Sequence, residues 1–282
     1  MAEEALMDEL GLRRGHVALL LTPSSLHFPV VSLGAVLSTA NPLLTPGELA
    51  DQARDSEPFL ALTTAELAPK LGSLLPASRV VLVDRLLAGL DGHDAWAGAS
   101  GIGPDDPALI FYSSGTTGRS KGVVSTHGNV IAAAALLFPR RGDGDDAEDV
   151  YGCVLPMFHM FGFSAFVLGT PAIGATAVLV PGRFSVDRLM AAMEEHRVTR
   201  LLALPPMVVQ MAKKVAAGEP SLTSSARRLC LREVVSSGAP LQRDHMARFA
   251  SCFPRVSLLQ VSHYFTRNKS QIQCSSSFSF LQ

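Results

Sequence analysis

The chain has 282 residues, 48% of them hydrophobic, and 24 basic against 25 acidic side chains leave a formal net charge of −1. That balance argues against broad nucleic-acid binding, which needs a clustered basic surface, while the length and apolar content suit one large or two medium domains. Cys153, Cys230, Cys252 and Cys274 form no C-x-x-C pair, so a zinc knuckle or disulfide framework is not expected, and reduced, buried thiols of a cytosolic protein are.

The opening MAEEALMDEL is acidic and lacks the apolar core of a signal peptide, and the closing FSFLQ is no peroxisomal Ser-Lys-Leu address, so a cytoplasmic protein is expected. His16 to Thr22 reads as a strand and Ser24 to Ala40 as a helix. Thr45-Pro46-Gly47-Glu48 is a compact helix start, with Thr as cap, Pro at the first position and Glu three residues after the cap. Pro58 to Thr63 and Arg79 to Asp84 read as strands around a helix from Ala65 to Leu74. Leu90 to Asp105, rich in Gly and Asp, reads as a linker. His93 and Asp94 lie in it without a second ligand pair, so no metal site is expected.

Ala108 to Tyr112, ALIFY, reads as a buried strand. It runs into Ser113 to Gly122, SSGTTGRSKG, a stretch with three glycines, hydroxyl side chains, a lysine and no carboxylate. Gly115 and Gly118 free the backbone to turn N–H groups toward an anion, Ser113, Ser114, Thr116 and Thr117 add donors, and Lys121 adds a mobile positive charge. Three readings compete with that one. An ordinary Gly/Ser turn has the same composition. A Walker loop, G-x-x-x-x-G-K-[ST], fails because Ser120 precedes the lysine and Gly122 follows it. Gly118 to Gly122 fits the G-x-S-x-G of a nucleophile elbow, but an elbow sets its serine directly between strand and helix. A serine hydrolase using Ser120 would find Asp187 and His245 in the right chain order.

Beyond the loop, Thr126 can cap a helix running from Asn129 to Phe138, and Arg140 to Asp149 reads as a charged connection. Val150 to Leu155 reads as a strand. Phe163 to Val180 carries no charge but is broken by Gly169-Thr170-Pro171 and Gly174, so it reads as a buried helix followed by a buried strand, with no membrane span. Ser185 is placed to cap an amphipathic helix, Val186 to Glu195. Arg200 to Leu204 (strand), Pro205 to Val215 (helix), Glu233 to Ser237 (strand), Ala239 to Cys252 (helix) and Val256 to Gln260 (strand) complete an alternation that predicts a layered α/β domain with a largely parallel sheet.

SSGTTGRSKG with the following VVSTHGNV resembles the phosphate-binding signature of the AMP-forming adenylate synthetases, and within them the plant 4-coumarate:CoA ligases and their close relatives. One departure is Ser120, where the family carries proline. Leu155 to Gly162, LPMFHMFG, resembles the family's segment lining the carboxylate pocket, where an aromatic, Met-rich wall suits a planar or fatty acyl group and His159 can hydrogen-bond a carboxylate. Packing aromatics around a core histidine is the alternative. Val235 to Leu241, VSSGAPL, resembles the turn bordering adenine and acyl groups, with Ala239 as the matching pocket residue. Pro181-Gly182-Arg183-Phe184 resembles a segment carrying a basic residue near coenzyme A, here Arg183, for which an ordinary surface arginine is the alternative.

The resemblance implies an α/β fold, the incomplete large N-terminal domain of an adenylate-forming enzyme, with layered, largely parallel sheets and flanking helices. It implies an ATP-dependent acid:CoA ligase that uses ATP, Mg²⁺ and coenzyme A and acts on a small carboxylic acid. Ser113, Ser114, Gly115, Thr116, Thr117 and Lys121 would hold phosphates, and His159, Phe161, Ala239 and Gln260 would line the acyl-adenylate pocket. Lys121 and His159 are the candidate catalytic residues, and no metal ligand is assigned. The pattern holds through Gln260 and stops where the family has a glycine, an aromatic-glycine turn and a Thr-Glu pair. Residues 1–260 therefore read as a partial adenylation domain and 261–282 as a tail without regular structure, with the family's C-terminal lysine domain absent. A non-catalytic form that binds ligand or full-length relatives stands beside the ligase and hydrolase readings.

Overall fold

The structure is a computed structural model. It describes residues 11–26, 28, 35–84, 101–113, 120–137, 149–180, 182–218, 229–265 and 274–280, with backbone alone for 136–137, 262–265 and 274–280. The chain divides into two compact units, one of residues 1–139 with 156–169, the other of 140–155 with 170–282.

The first unit is built on a six-stranded sheet. Strands β1 (Val17–Leu21), β2 (Val36–Thr39), β3 (Leu60–Thr63) and β4 (Val80–Leu82) run parallel with β5 (Pro107–Ser113), and β6 (Lys121–Thr126) closes the edge antiparallel to β5, in the order β4-β3-β1-β2-β5-β6. β2 and β3 are buried along their whole length, as expected of parallel strands covered on both faces. That double burial explains one departure from expectation. Val36–Thr39 lies within the run read as a helix, because an apolar strand buried on both sides carries no alternation to distinguish it. Leu19, Leu21, Leu49, Ala61 and Leu71 form a core cluster on this sheet.

Helix α1 (Pro46–Ser56) starts as its sequence dictates. The Thr45 hydroxyl accepts from the Glu48 N–H at 3.3 Å, and the Glu48 carboxylate accepts from the Thr45 N–H at 2.9 Å. The Gln52 amide donates to the Thr39 carbonyl at 3.0 Å and to Ser38 Oγ at 3.3 Å, which sets α1 on the Ser38 face of the sheet. The expected helix from Ala65 to Leu74 is reduced to one 3-10 turn, Ala68–Leu71, since Pro69 has no N–H to carry a ladder further. Strand β6 was not expected, and its Lys121 to Val124 are all exposed. Helix α2 (His127–Leu137) follows it, with Asn129 N–H donating to Thr126 Oγ1 and Thr126 N–H to Asn129 Oδ1, both at 3.2 Å.

The second unit has its own six-stranded sheet, ordered β12-β11-β10-β9-β7-β8. Strands β7 (Val150–Cys153), β8 (Thr176–Leu179), β9 (Arg200–Ala203), β10 (Glu233–Ser236) and β11 (Ser257–Phe265) are parallel, and β12 (Cys274–Phe280) pairs antiparallel with β11. Helices α3 (Val186–Glu195), α4 (Pro205–Ala216) and α5 (Arg243–Cys252) supply Leu189, Met193, Met211 and Phe249 to a core with Leu201, Val234 and Leu258 from the strands. Ser185 precedes α3 without a capping hydrogen bond from its side chain, and α5 starts four residues later than expected, after the Gly238 turn and Pro240. Where a tail without regular structure was expected, the backbone of 261–265 continues β11 and that of 274–280 forms β12.

One end of this sheet carries an ionic cluster. Arg200 bridges Asp149 and Glu233, and Thr199 Oγ1 donates to Asp149 Oδ1 at 2.9 Å. The uncharged run after Phe163 is helical over 163–172 and then becomes β8, and among the described residues no helix is long and apolar enough to cross a membrane.

Candidate functional site

In the first unit, Ser113 and Lys121 are cross-strand partners at the end of the β5–β6 pair where the chain passes from one strand to the other. Ser114, Gly115, Thr116 and Thr117 lie outside the described residues. Pleating sorts the flanking residues onto two faces. Tyr112 and Ile110 share the α1 face, whereas Phe111 and Ser113 share the other, where Phe111 meets Phe163 edge-on with ring centroids 5.6 Å apart. Ser113 and its partner Lys121 thus belong to the face on which the segment after His159 packs. Among the described residues, no carboxylate forms an ion pair with Lys121.

Two hydroxyls at the C-terminal edge of the same sheet hold that segment. Thr39 Oγ1 donates to the Phe158 carbonyl at 2.7 Å, and the Met157 N–H donates to Ser24 Oγ at 2.9 Å. The His159 carbonyl accepts from the Phe163 N–H at 2.8 Å, so His159 stands at the start of the helical run. His159 is exposed overall, but desolvation on its protein side pushes its pKa below the ordinary imidazole value, so the ring is neutral at neutral pH. Phe161 is half-buried beside it in the chain, and Met157 is buried.

In the second unit, Ala239 is exposed on the turn that leaves β10, and Gln260 lies on β11 directly beside Ser236 of β10. The Gln260 amide donates to the Ala239 carbonyl at 3.1 Å. Gly238 has φ +87°, a conformation that favours glycine, and a Cβ there would press on Leu204 Cδ2 at 3.0 Å. Among the described residues, Ser236 Oγ and Gln260 Oε1 are buried without a hydrogen-bond partner. Two such atoms paired across neighbouring strands, level with the C-terminal end of β10, are polar groups that a ligand can satisfy. Arg183 is exposed ahead of α3, and its carbonyl accepts from the Arg188 guanidinium.

The sequence reading missed Ser24, Thr39 and Ser236. Each is a hydroxyl at or just beyond the C-terminal end of an apolar strand, but Ser24 and Thr39 act through partners far along the chain that only the fold reveals. The hydrolase reading loses support. Ser120 directly precedes an antiparallel strand rather than standing at a strand-to-helix turn, and Asp187 is paired with Lys214 at 2.6 Å. No group of three or more His, Cys, Asp or Glu side chains among the described residues is placed to hold a metal.

Residues 4–264 match the AMP-binding enzyme family. The chain belongs to that family. It is 64% identical over 271 residues to the Oryza sativa subsp. japonica protein named 4-coumarate--CoA ligase-like 8, covering 89% of this chain and 44% of that one. The Arabidopsis thaliana Peroxisomal OPC-8:0-CoA ligase 1 is 37% identical, with 90% of this chain and 48% of that protein covered. The chain thus spans about half the length of the curated relatives it matches. Among solved structures, the inhibitor-bound N-terminal domain of FACL13 from Mycobacterium tuberculosis superposes with a TM-score of 0.74 at 25% identity, covering 92% of this chain and 65% of that one. A benzoate CoA ligase from Burkholderia xenovorans LB400 gives 0.75 at 24% identity, 92% and 53% covered, and shares the fold. The layered α/β architecture is therefore that of the N-terminal domains of adenylate-forming enzymes, and the family membership supports acid–CoA ligase chemistry in general.

Proposed function

We propose that residues 1–260 form the nucleotide- and acid-binding part of an ATP-dependent acid:CoA ligase of the 4-coumarate type. The observation that carries this is Ser113 facing Lys121 at the end of a buried strand, with no carboxylate among the described residues competing for the ammonium. The proposed reaction has two steps. A carboxylate oxygen of the acid attacks the α-phosphorus of Mg–ATP, the bond to the bridging oxygen breaks, and pyrophosphate leaves with the electron pair. The coenzyme A thiol, losing its proton, then attacks the acyl carbon, and AMP leaves as the thioester forms.

The first step brings an anion onto a polyanion, so positioned donors and charge compensation dominate it. Ser113 and Lys121, with Ser114, Gly115, Thr116 and Thr117, are assigned to the phosphates, and magnesium arrives with the nucleotide as part of the substrate. Neutral His159 donates a hydrogen bond to the acid's carboxylate without neutralising the nucleophile. Phe161 flanks the acyl group. In the second unit, Ala239 and Gln260 are assigned to the adenylate, with Ser236 as an added donor, and Arg183 to coenzyme A. The substrate class is a planar or fatty acid, which the aromatic and methionine side chains from Met157 to Phe161 favour.

ATP–pyrophosphate exchange by the 282-residue polypeptide across hydroxycinnamates and fatty acids tests the reading. Acid-dependent exchange supports adenylation. Nucleotide binding without exchange for any acid would leave a non-catalytic binding protein instead.

A further inference from the structure

Strand β6 is an edge strand whose only ladder partner among the described residues is β5. A slip of one residue in that pairing would move Lys121 to the opposite face of the sheet. Something must hold the register, and the outward residues of β6 do not, because Lys121, Gly122, Val123 and Val124 are all exposed. Helix α1 reaches this pair of strands. Tyr112 precedes Ser113 on β5 and pairs with Gly122, which follows Lys121 on β6. The Tyr112 hydroxyl donates to Asp55 Oδ2 at 2.7 Å and lies 3.3 Å from the Gln52 carbonyl, both on α1.

Asp55 and Tyr112 together close over Gly122. A Cβ at position 122 would lie 3.0 Å from Asp55 Oδ2, 3.1 Å from Ile110 Cγ2 and 3.2 Å from Tyr112 Cζ. Gly122 is not among the residues with positive φ, so what favours glycine there is the close approach of these side chains rather than backbone conformation. The phenol is pushed well above its ordinary pKa, first by burial and then by the bond and charge of Asp55. It therefore stays a neutral donor throughout the physiological range.

We propose that Asp55 and Tyr112 are positioning residues for phosphate binding: clamped over Gly122, they fix the register at which Ser113 and Lys121 face each other. The proposal rests on the phosphate assignment of Ser113 and Lys121. It gives a role to a carboxylate on α1 that acts through the Tyr112 hydroxyl.

The test uses the full 282-residue chain with Tyr112→Phe, Asp55→Ala, Asp55→Asn, Gly122→Ala and Lys121→Ala, with folding monitored by circular dichroism. Two quantities are read: the Kd for Mg–ATP by calorimetry, and the hydrogen-exchange rates of the amides in β5 and β6 with the cross-strand NOEs between Ser113 and Lys121. Tyr112→Phe, Asp55→Ala and Gly122→Ala are expected to speed exchange in β6, weaken the NOEs and raise the Kd roughly tenfold, as expected for the loss of one hydrogen bond to a charged group. Asp55→Asn, which keeps an acceptor for the phenol, is expected to recover most of the affinity, and a purely electrostatic role for the carboxylate would forbid that recovery. If Lys121→Ala weakens ATP binding while Tyr112→Phe leaves register and Kd unchanged, the clamp is wrong and the phosphate reading stands. If register loosens in Tyr112→Phe but the Kd does not move, the clamp is structural only and the proposal is overturned. If wild-type and Lys121→Ala chains are alike toward ATP, the phosphate reading fails and takes the positioning role with it, whatever the exchange rates show.

Discussion

Lys121 illustrates how a residue's chemistry depends on its neighbours. It opens β6 opposite Ser113, with no competing carboxylate among the described residues. Lys121→Ala is expected to cost ~1.5–3 kcal/mol of ATP affinity, the range for a charge-assisted hydrogen bond, with an unchanged circular dichroism spectrum. Equal calorimetric affinities for the two chains would remove Lys121 from the phosphate site. His159 gives a second check. Desolvation lowers its pKa, so an NMR titration of its ring protons is expected to show a midpoint below the value in the unfolded chain, and a midpoint at or above that value would place a carboxylate or other anion beside the ring. Both residues were singled out in the sequence, Lys121 from the composition of its loop and His159 from a family resemblance, and their roles here are proposals. Ser24, Thr39 and Asp55 were not singled out, because each acts through a partner far along the chain: Ser24 through Met157, Thr39 through Phe158, and Asp55 through Tyr112. Such pairings exist only once the sheet has assembled.

At the scale of elements, local chemistry was readable where it was self-contained. The Thr45–Glu48 capping box and the limits of α3 and α4 follow from residues within a few positions of one another. Val36–Thr39 and β6 were not readable, because burial on both faces hides a strand's period and a strand with an exposed face of glycine and valine shows none. The ends of β7, β9 and β10 add a feature that spacing could not reveal. Asp149, Arg200 and Glu233, each from the start or flank of a different strand, meet in one partly buried cluster, with 3% of the Asp149 side chain and 13% of the Arg200 side chain exposed. Removing one partner leaves a charge with little access to water. Arg200→Ala is therefore expected to destabilise the second unit by roughly 3–5 kcal/mol, whereas Arg200→Met with Asp149→Leu and Glu233→Leu loses much less. Chemical denaturation followed by circular dichroism measures both, and a single-variant loss below about 1 kcal/mol would show that water reaches the cluster after all.

For the whole molecule, the titrating groups predict a stability plateau with two falling limbs. On the acid side, Glu48 and Asp106 have folded pKa values below their unfolded ones, Glu48 through its bonds with Thr45 and Asp106 chiefly through its bond with Arg14. Their contributions are present above the unfolded carboxylate range and are lost as pH falls through the folded values. His159, lowered by desolvation, acts in the same direction at higher pH, present above the unfolded imidazole pKa and lost as pH falls through the folded one. On the alkaline side the sign reverses. Burial pushes the Cys153 thiol up to about 12, and burial with Asp55 pushes the Tyr112 phenol higher than its free value. Each contributes fully below its unfolded pKa and loses that contribution as pH rises through the folded one, because the unfolded chain ionises first. The urea midpoint is therefore expected to be flat between about pH 7 and pH 8, the interval between the unfolded imidazole and thiol pKa values, and to fall on either side. Cys153→Ala should flatten the start of the alkaline fall without moving the acid limb, and His159→Gln should do the reverse. The same burial predicts that folded Cys153 resists iodoacetamide at pH 8, since alkylation requires the thiolate. Rapid alkylation of Cys153 in the native chain, or an alkaline limb unchanged in Cys153→Ala, would mean that β7 is open to solvent at that position and that the second sheet is less well covered than its core packing requires.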